Sequence, residues 1–318
     1  MTYVPVQKRY TGAKPNLVIA HPKNSLADYP FSIPEYRESY TDFCRLASNK
    51  FAIYYVRNRR RYLGRGVFAE GYVFRGSQFV PYPHRIYAAV VYNKTGLRVN
   101  GGRDWRAVNP WSIYRITSNK FRSYQLFREY MKPTFRVRSP AEVRAAVAQV
   151  RTAWAVYKPI RGAEGKGIII RPKLSILPRL KKINGIIQEF IDTSDGVPGI
   201  CRTLHDLRIL IMSGRVVQTY VRIPKVGSYL ANVARGGHLK EITLRQVPSA
   251  ALRIARAIDR DHFRQYGPRV YAIDFGFERG KPYLFEINAQ PGLPYKSWRR
   301  YYRVWHRQLL KTLWSAVQ

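Results

Sequence analysis

Cysteine is nearly absent from this chain of 318 residues, which contains Cys44 and Cys201 alone. Two cysteines cannot build a disulfide framework or a four-cysteine zinc site. The six histidines are scattered, without the short spacing of metal ligands. The sequence thus excludes a disulfide-stapled secreted domain and a zinc finger, and it fits a reducing compartment.

Long apolar runs are also absent, although hydrophobic residues make up 46% of the chain and aromatic residues 14%. No run approaches the roughly 20 residues that a membrane-crossing helix needs. The start of the chain lacks the apolar core of a signal peptide. We therefore expect a folded, soluble, cytoplasmic protein, large enough for two or three subdomains around a shared cleft.

Acidic residues are few: 19 Asp and Glu stand against 56 Lys and Arg, which gives a formal net charge of +37. This excess creates a strong positive field in any cleft, and one small ligand cannot account for it. The expected partner is an acidic peptide, a carrier protein or another anionic polymer, and nucleic acid is a further candidate. A basic bias of the whole proteome would give the same composition.

The sharpest basic cluster runs from Arg57 to Arg61, beside Tyr54, Tyr55 and Tyr62. Interleaved basic and aromatic residues can bind single-stranded nucleic acid, because every base has a face on which a ring can stack. A solvated loop or strand edge has the same composition. Both interpretations stay open from the sequence.

Apolar patterning and turn residues predict the main elements. Strands are expected at 16–20, 86–92, 154–159, 186–191, 206–211, 216–222, 272–277 and 283–288. One helix follows the candidate caps Ser118 and Asn119 and ends before Pro133, and a second runs from Pro140 to Val150. The basic tail 296–318 predicts a closing helix whose apolar stripe packs on the domain, with an anionic surface or a partner as the alternative.

Three polar residues interrupt the last two apolar strands: Asp274 in the first, and Glu286 and Asn288 in the second. Side chains alternate along a strand, so Glu286 and Asn288 share a face, and pairing of the strands can bring Asp274 beside them. Two carboxylates and an amide oxygen suit a hard cation such as Mg²⁺. The alternative is a solvated hairpin whose acids face water.

The segment 154–167 has the residues for binding phosphate. A strand ends at Lys158, and the turn after it contains Gly165, Lys166 and Gly167. A glycine-rich hairpin can offer backbone N–H groups to phosphates, and lysine adds a point charge. The order of residues is not that of a Walker A loop, and many such hairpins are only turns.

Polar residues on three further strands complete the candidate site. Glu189 lies in the apolar strand 186–191, Asp206 and Arg208 begin the next strand, and Arg222 ends the one after it. Arginines that converge on a cleft suit bidentate capture of carboxylate or phosphate. Salt bridges within the sheet would explain the same residues.

In this order, the segments resemble the ATP-grasp superfamily, particularly its glutathione-synthetase-like and ribosomal-protein glutamate-ligase branches. The likeness spans about residues 93–292, and the pieces Pro81–Pro83 and Val91–Lys94 resemble spore-coat-associated ATP-grasp proteins. It implies an α+β fold in which two α+β subdomains clasp ATP. The implied divisions are an α/β pre-ATP-grasp-like domain over 1–115, an N-lobe with the glycine-rich hairpin over 116–190, and a C-lobe with the metal site and basic C-terminal helix over 191–318.

The resemblance also implies roles for individual residues. It assigns nucleotide binding to Lys120, Lys158, Gly165, Lys166, Gly167, Glu189, Ile191, Asp206 and Arg208. It places Mg²⁺, with Mn²⁺ as an alternative, on Asp274, Glu286 and Asn288, and the reacting phosphate and acyl group at Arg222 and Asn232. The segment 192–205 is longer than the usual connection, which leaves the ribose contact open between Asp192 and Asp195.

The reaction so implied is amide or peptide bond formation through an acylphosphate, on an acidic peptide, protein or polymer. Two alternatives remain: an ATP-grasp kinase of a phosphorylated small molecule, and a nucleic-acid or polyanion-binding protein with a regulatory nucleotide site. The sequence does not identify the carboxylate, the amine, the pathway or the oligomeric state.

Overall fold

The computed structural model of this protein describes residues 14–23, 25–162, 165–229, 231 and 236–318. Within these residues the strands are β1 (Asn16–His21), β2 (Ala52–Arg57), β3 (Tyr62–Gly64), β4 (Val67–Phe68), β5 (Gly71–Arg75), β6 (Gln78–Tyr82), β7 (Ile86–Tyr87), β8 (Val90–Asn93), β9 (Arg106–Val108), β10 (Thr134–Val137), β11 (Trp154–Pro159), β12 (Ile169–Pro172), β13 (Gly185–Glu189), β14 (Asp206–Met212), β15 (Arg215–Ile223), β16 (His238–Glu241), β17 (Val270–Glu278) and β18 (Lys281–Asn288). The α-helices there are α1 (Pro34–Ala47), α2 (Trp111–Thr117), α3 (Lys120–Phe127), α4 (Pro140–Gln149), α5 (Ser249–Ile258) and α6 (Tyr302–Trp314).

A six-stranded sheet in the order β6-β5-β2-β1-β8-β9 dominates the N-terminal third of the described chain. Its strands β2, β1, β8 and β9 are parallel, whereas β5 and β6 are antiparallel to their neighbours. The carboxyl ends of β1 and β8 therefore meet at one edge of the sheet. One face packs on α1 and α6, and the other packs near a small sheet of β3, β4 and β7.

The single strand predicted over 86–92 is wrong, because the structure divides it into β7 and β8. The backbone N–H of Ala88 donates to Gly66 at 2.9 Å, and that of Ala89 donates to Asn16 at 2.9 Å. The chain thus leaves the small sheet and enters the six-stranded sheet between these two alanines. A continuous apolar run cannot report such a change of partner, because apolar residues continue through both strands although Tyr87 is 50% exposed.

Two antiparallel sheets form the rest of the molecule. The four-stranded sheet has the order β10-β13-β11-β12 and packs on α4, and the five-stranded sheet has the order β16-β15-β14-β17-β18 and packs on α5. The helix α3 joins them, since Lys120 at its start reaches Glu286 on β18. Mixed helices and sheets of this kind confirm the predicted α+β class.

Both predicted helix starts are confirmed by their caps. The side chain of Asn119 accepts hydrogen bonds from the N–H groups of Phe121 and Arg122, each at 3.1 Å. Ser139 accepts from Glu142 N–H at 3.2 Å. Such caps satisfy N–H groups that lack partners within the helix. The first helix is shorter than expected, because α3 ends at Phe127 and a 3₁₀ turn carries the chain onward.

The basic tail forms α6, and its apolar stripe is inside the molecule. Trp305, Leu309 and Leu313 are fully buried between the six-stranded and five-stranded sheets. This packing confirms the closing helix and removes the face that an anionic surface would need. In the part of the chain that the structure describes, no helix has the length and apolar character required to span a bilayer.

Candidate functional site

The hairpin of β17 and β18 brings the three predicted metal ligands together. Asp274 lies opposite Glu286 in the antiparallel register, and Asn288 lies two residues further along β18, opposite Ala272. Asp274 is 4% exposed, whereas the side chain of Glu286 is 34% exposed. The Asn288 Oδ1 accepts a hydrogen bond from Gln290 N–H at 2.8 Å. One edge of the hairpin thus offers two carboxylates and an amide oxygen.

Arginines from β14, the strand next to β17, and from β15 beyond it hold Asp274. Arg208 on β14 donates from Nε to Oδ1 and from Nη2 to Oδ2, both at 2.6 Å, and Arg222 on β15 donates from Nη2 to Oδ2 at 2.8 Å. Burial alone would raise the pKa of Asp274, but the two guanidinium groups outweigh it and hold the pKa below its ordinary value. Because a carboxylate has about four lone pairs, one lone pair of Oδ1 is left for a further partner.

Asp206 completes what we call the cleft network, formed by Asp206, Arg208, Arg222 and Asp274. Its Oδ2 accepts from Arg222 Nη2. Burial raises the pKa of Asp206, against the opposing effect of Arg222. Two buried atoms of the cleft network, Asp206 Oδ1 and Arg222 Nε, have no hydrogen-bond partner among the described residues. Unpaired buried polar atoms are costly, and they mark places where a ligand can supply the missing bonds.

The two predicted nucleotide lysines face the hairpin, Lys120 from the start of α3 and Lys158 from β11 of the four-stranded sheet. Lys120 Nζ donates to the carbonyl of Gly162 at 3.0 Å and lies 3.8 Å from Glu286 Oε2. Lys158 Nζ donates to Gln188 Oε1 at 2.7 Å and lies 5.8 Å from the ring centre of Phe285. Burial lowers the pKa of Lys158 to about 8, although Glu286 acts in the opposite direction. Two cations and a carboxylate thus converge where the two sheets meet.

The glycine-rich turn lies directly beyond Lys158, and its residues 163–164 are outside the described part of the chain. Gly167 has a φ of 74°, and a Cβ there would approach Pro159 Cγ to 2.8 Å. The described residues Gly165 and Lys166 are partly exposed and exposed, respectively. The turn between β11 and β12 therefore requires glycine at Gly167, and Lys120 contacts its beginning through Gly162.

The strand β13 directs its two polar side chains, those of Gln188 and Glu189, to different partners. Glu189 Oε1 accepts from Arg151 N–H at 2.9 Å, so this carboxylate is directed at the start of β11. Its neighbour Gln188, on the opposite face, contacts Lys158 and donates from Nε2 to Thr134 Oγ1 at 2.8 Å. Nucleotide binding by the backbone of Glu189 and by Ile191, which is 4% exposed, stays a prediction. Alternation along β13 was the signal that could have pointed to Gln188.

Other predicted contacts have separate outcomes. Asn232 lies outside the described residues. Asp192 Oδ1 accepts from Ser194 N–H at 3.0 Å, and Asp195 is exposed, so the ribose contact stays open between them.

The basic cluster from Arg57 to Arg61 and its neighbouring tyrosines do not form one surface, because Arg57 is 4% exposed and Tyr55 is fully buried. Tyr55 cannot stack on a nucleic acid base, which weakens the nucleic-acid interpretation of that segment.

The residues of this edge fit Mg²⁺ in their donor chemistry. Glu286 and Asn288 carry oxygen donors of the kind that Mg²⁺ prefers, and Asp274 Oδ1 keeps a lone pair. The unpartnered Asp206 Oδ1 lies in the same cleft network. Within the described residues no group of three His, Cys, Asp or Glu side chains is placed to hold a metal, so Asn288 is needed in the set.

Comparison with known proteins gives a consistent result. Residues 117–302 match the RimK-like ATP-grasp domain. A probable alpha-L-glutamate ligase of Legionella pneumophila is 30% identical over 236 residues, which is 69% of this chain and 72% of that protein.

Two solved structures share the fold. D-alanyl-alanine synthetase A of Vibrio cholerae superposes with a TM-score of 0.63 at 11% identity, covering 96% of this chain and 99% of that one. A RimK domain ATP-grasp protein of Sphaerobacter thermophilus has a TM-score of 0.58 at 10% identity, covering 94% and 99%. ATP-grasp ligases in general use ATP and Mg²⁺. This chain belongs to the RimK-like ATP-grasp family, has the ATP-grasp fold and is an ATP-dependent ligase of that type.

Proposed function

We propose that this protein is a carboxylate–amine ligase that forms an amide or peptide bond through an acylphosphate on an acidic peptide, carrier protein or anionic polymer. The observation that carries the proposal is the convergence of Lys120 and Lys158 with Glu286 at the joint between two sheets. Carboxylate and amine must meet an ATP-derived phosphoryl group there. Within the same proposal, residues 1–115, 116–190 and 191–318 act as the three units of the enzyme.

In the first step the carboxylate of one substrate attacks the γ-phosphorus of ATP, which gives an acylphosphate and ADP. Lys120 and Lys158 neutralise the charge on the phosphates, and the hairpin around Gly165, Lys166 and Gly167 covers them. Glu286, Asn288 and Asp274 would hold Mg²⁺, which supplies charge neutralisation for the phosphates when bound. Mn²⁺ would suit the same oxygen donors.

In the second step an amine attacks the acyl carbon, and phosphate leaves as the amide forms. Arg222 is the residue we assign to the acyl and phosphate groups, because its Nε is buried without a partner and its Nη2 is fixed by Asp206 and Asp274. We also assign Asn232 to this step. Asp206 orients Arg222 directly. Arg208 orients Arg222 through Asp274, which accepts hydrogen bonds from both arginines. Positioning and electrostatic stabilisation would supply most of the rate enhancement.

The acidic character of the substrate rests on charge. The chain carries 56 Lys and Arg against 19 Asp and Glu. The anionic groups of ATP would use only a few of these cations. An acidic peptide or polymer would be attracted over a long range, and its binding would weaken as salt increases.

The first experiment is calorimetric titration of Mg-ATP into the wild type and the double variant Asp274→Ala/Glu286→Ala. We expect micromolar binding by the wild type and its loss in the double variant. The matched control is Glu70→Ala/Asp261→Ala, which removes two acids that lie outside the cleft in exposed ion pairs. Absence of binding by folded wild type would contradict the proposed nucleotide site.

The second experiment measures ADP release with acidic peptides in the presence of amino acids, with mass spectrometry of the product. An amide-linked product supports the ligase, and its yield should fall with added salt. A phosphorylated product without an amide would instead identify a kinase. Salt-sensitive binding to nucleic acid without any ADP release would identify the regulatory polyanion-binding alternative.

A further inference from the structure

A cavity lies at the edge of the six-stranded sheet where β1 and β8 end, and neither Lys120, Lys158 nor the predicted metal ligands line it. Its volume is about 150 Å³. Its walls include His21 and Lys94 from the strand ends, the rings of Tyr29, Tyr36 and Tyr40, and the chain just beyond β18 at Gly292. Among the described residues, neither Asp nor Glu lines it. The cavity is thus basic and aromatic, and large enough for a small organic group, since about 150 Å³ can hold a benzene-sized molecule.

Lys94 is the principal charge of the cavity, and no carboxylate balances it. The residue is 7% exposed, its Nζ donates to the carbonyl of Pro291, and the ring centre of Tyr92 is 5.4 Å away. No ion pair joins Lys94 to an acid in the described part of the chain. Burial of an unpaired ammonium is costly, and it lowers the pKa of Lys94 to about 7. An anion placed in the cavity would restore the charge balance.

His21 adds an unsatisfied polar atom to the same wall. It is 5% exposed, and its Nδ1 has no hydrogen-bond partner among the described residues. Burial and the nearby cations, with Lys94 the largest contributor among them, lower the pKa of His21 to about 3, so the ring is neutral, with one nitrogen that donates and one that accepts a hydrogen bond. A buried ring nitrogen without a partner destabilises the fold, and a ligand that supplied the missing hydrogen bond would remove that cost.

The cavity is joined to the candidate metal site by a short segment. Asn288 Oδ1 fixes Gln290 N–H at 2.8 Å, and Gln290 Nε2 donates to the carbonyl of Asn93 at 3.5 Å. Lys94 Nζ donates to the carbonyl of Pro291, the residue that follows Gln290. A group bound in the cavity would therefore contact the segment that continues from the last predicted metal ligand.

We propose that this cavity binds the carboxylate of an amino acid or peptide end that the ligase joins, with Lys94 as its counter-ion and His21 and the tyrosine hydroxyls as hydrogen-bond partners. The inference rests on the proposed function, because it names a substrate subsite of that reaction. Carboxylate suits the cavity better than phosphate, since a doubly charged phosphate calls for more than one buried cation on the wall, and the buried Arg57 acts on His21 without lining the cavity. Lys94 is the one buried lysine on its wall, and Lys23 at the rim is exposed.

The test measures binding of glycine, D-alanine and L-glutamate, each against its α-amide, and of inorganic phosphate, by calorimetry without ATP. At least one amino acid should bind to the wild type, and its α-amide should bind about tenfold to a hundredfold more weakly, the effect of losing a charge-assisted hydrogen bond. Lys94→Met should weaken the amino acid to a similar degree while Mg-ATP binds as in the wild type.

His21→Phe is the second variant, because it keeps the ring that stacks on Tyr55 and removes the unpartnered nitrogen. It should fold at least as stably as the wild type and bind the amino acid about fivefold more weakly. Lys158→Met is the matched control: it should lose Mg-ATP binding and keep the amino acid.

Three results would overturn the inference: no binding by any amino acid, equal binding of the amides, or phosphate binding as tight as carboxylate binding. If the wild type does not bind Mg-ATP, the proposed function is contradicted, but the comparison of amino acids with their amides can still be made. The two failures are therefore distinguishable.

Discussion

Two buried networks of arginine and aspartate lie along the same five-stranded sheet, and they differ in whether their polar atoms are satisfied. The first, which we call the anchor network, consists of Asp259, Arg269 and Tyr271. Arg269 donates from Nε and Nη2 to the two oxygens of Asp259 at 2.8 and 2.5 Å and from Nη1 to the Gly267 carbonyl at 2.8 Å. Tyr271 donates to Asp259 Oδ1 at 2.7 Å. In the described structure none of its buried side-chain atoms lacks a partner.

The cleft network has a similar composition and burial but leaves Asp206 Oδ1 and Arg222 Nε without partners. Both networks remove charges from water, and such removal is repaid only when every donor and acceptor is paired. The anchor network therefore serves the fold alone. The cleft network is incomplete in the protein by itself, as expected of a site that a ligand completes.

Arg269→Met is the sharpest way to test the anchor network. It leaves the carboxylate of Asp259 buried without its cation, so the free energy of unfolding should fall by about 3–5 kcal/mol. Chemical denaturation measures this, with Arg260→Met as control, since the pair of Arg260 with Asp261 is exposed and its loss should leave stability unchanged. The comparison fails if Arg269→Met is as stable as the control.

Asp206→Asn tests the cleft network, and it should change stability little while it lowers turnover strongly. The amide keeps the size of the side chain and an oxygen for Arg222, so unfolding should change by less than about 1 kcal/mol. ATP-dependent turnover should fall roughly 10²-fold, because the charge that fixes Arg222, the residue we propose for the reacting groups, is lost. Asp261→Asn is the exposed control. Turnover at the level of the control would show that the cleft network is structural.

Much of the site could be predicted from sequence because local periodicity determined it. The alternation along β18 placed Glu286 and Asn288 on one face, and the hairpin brought Asp274 opposite Glu286. The cap at Asn119 could also be read locally. These features depend on residues that are near in sequence or on one simple pairing.

Features that depend on distant parts of the chain could not be predicted. The clamp of Arg208 and Arg222 on Asp274 requires the strand order of the five-stranded sheet. The hydrogen bond from Arg151 N–H to the carboxylate of Glu189 depends on the path of one loop. The cavity beside Lys94 requires two parallel strand ends and a segment almost 200 residues later, as the sequence separation of 197 between Lys94 and Pro291 shows.

The pH dependence of stability offers a third comparison, between a buried cation with no acid and the paired arginines. The pKa of Lys94 is about 7 in the fold against 10.5 ordinarily. Between these values the unfolded chain holds a proton that the folded chain has lost, so stability rises with pH. The contribution is at most about 1.4 kcal/mol per pH unit.

Lys94→Met should therefore show a smaller rise in unfolding free energy between about pH 7 and pH 10 than the wild type. Denaturation at several pH values measures the slope, and Lys311→Met, which removes an exposed lysine, is the control. Equal slopes in Lys94→Met and the wild type would mean that Lys94 keeps its proton in the fold, and the contrast with the paired arginines would be lost.

The smallest expected effect concerns a positioning residue outside both networks. Thr134 Oγ1 donates to the Lys132 carbonyl at 2.8 Å and accepts from Gln188 Nε2 at 2.8 Å, which directs Gln188 Oε1 at Lys158. Thr134→Val removes the acceptor, so Gln188 can turn its NH₂ toward the ammonium, donor against donor. The Kd for Mg-ATP should rise about fivefold to tenfold, the equivalent of one hydrogen bond.

Thr134→Ser keeps the hydroxyl and should bind Mg-ATP as the wild type does, which separates the hydrogen bond from the packing of the methyl group. If Thr134→Val also binds normally, Lys158 is held in place by burial and by Phe285 rather than by Gln188. The hydrogen bonds that link Thr134 to Lys158 through Gln188 would then stabilise the fold alone, as those of the anchor network do. A weakened Thr134→Val with a normal Thr134→Ser would show that complete hydrogen bonding can also serve a binding site, when its last member faces the ligand.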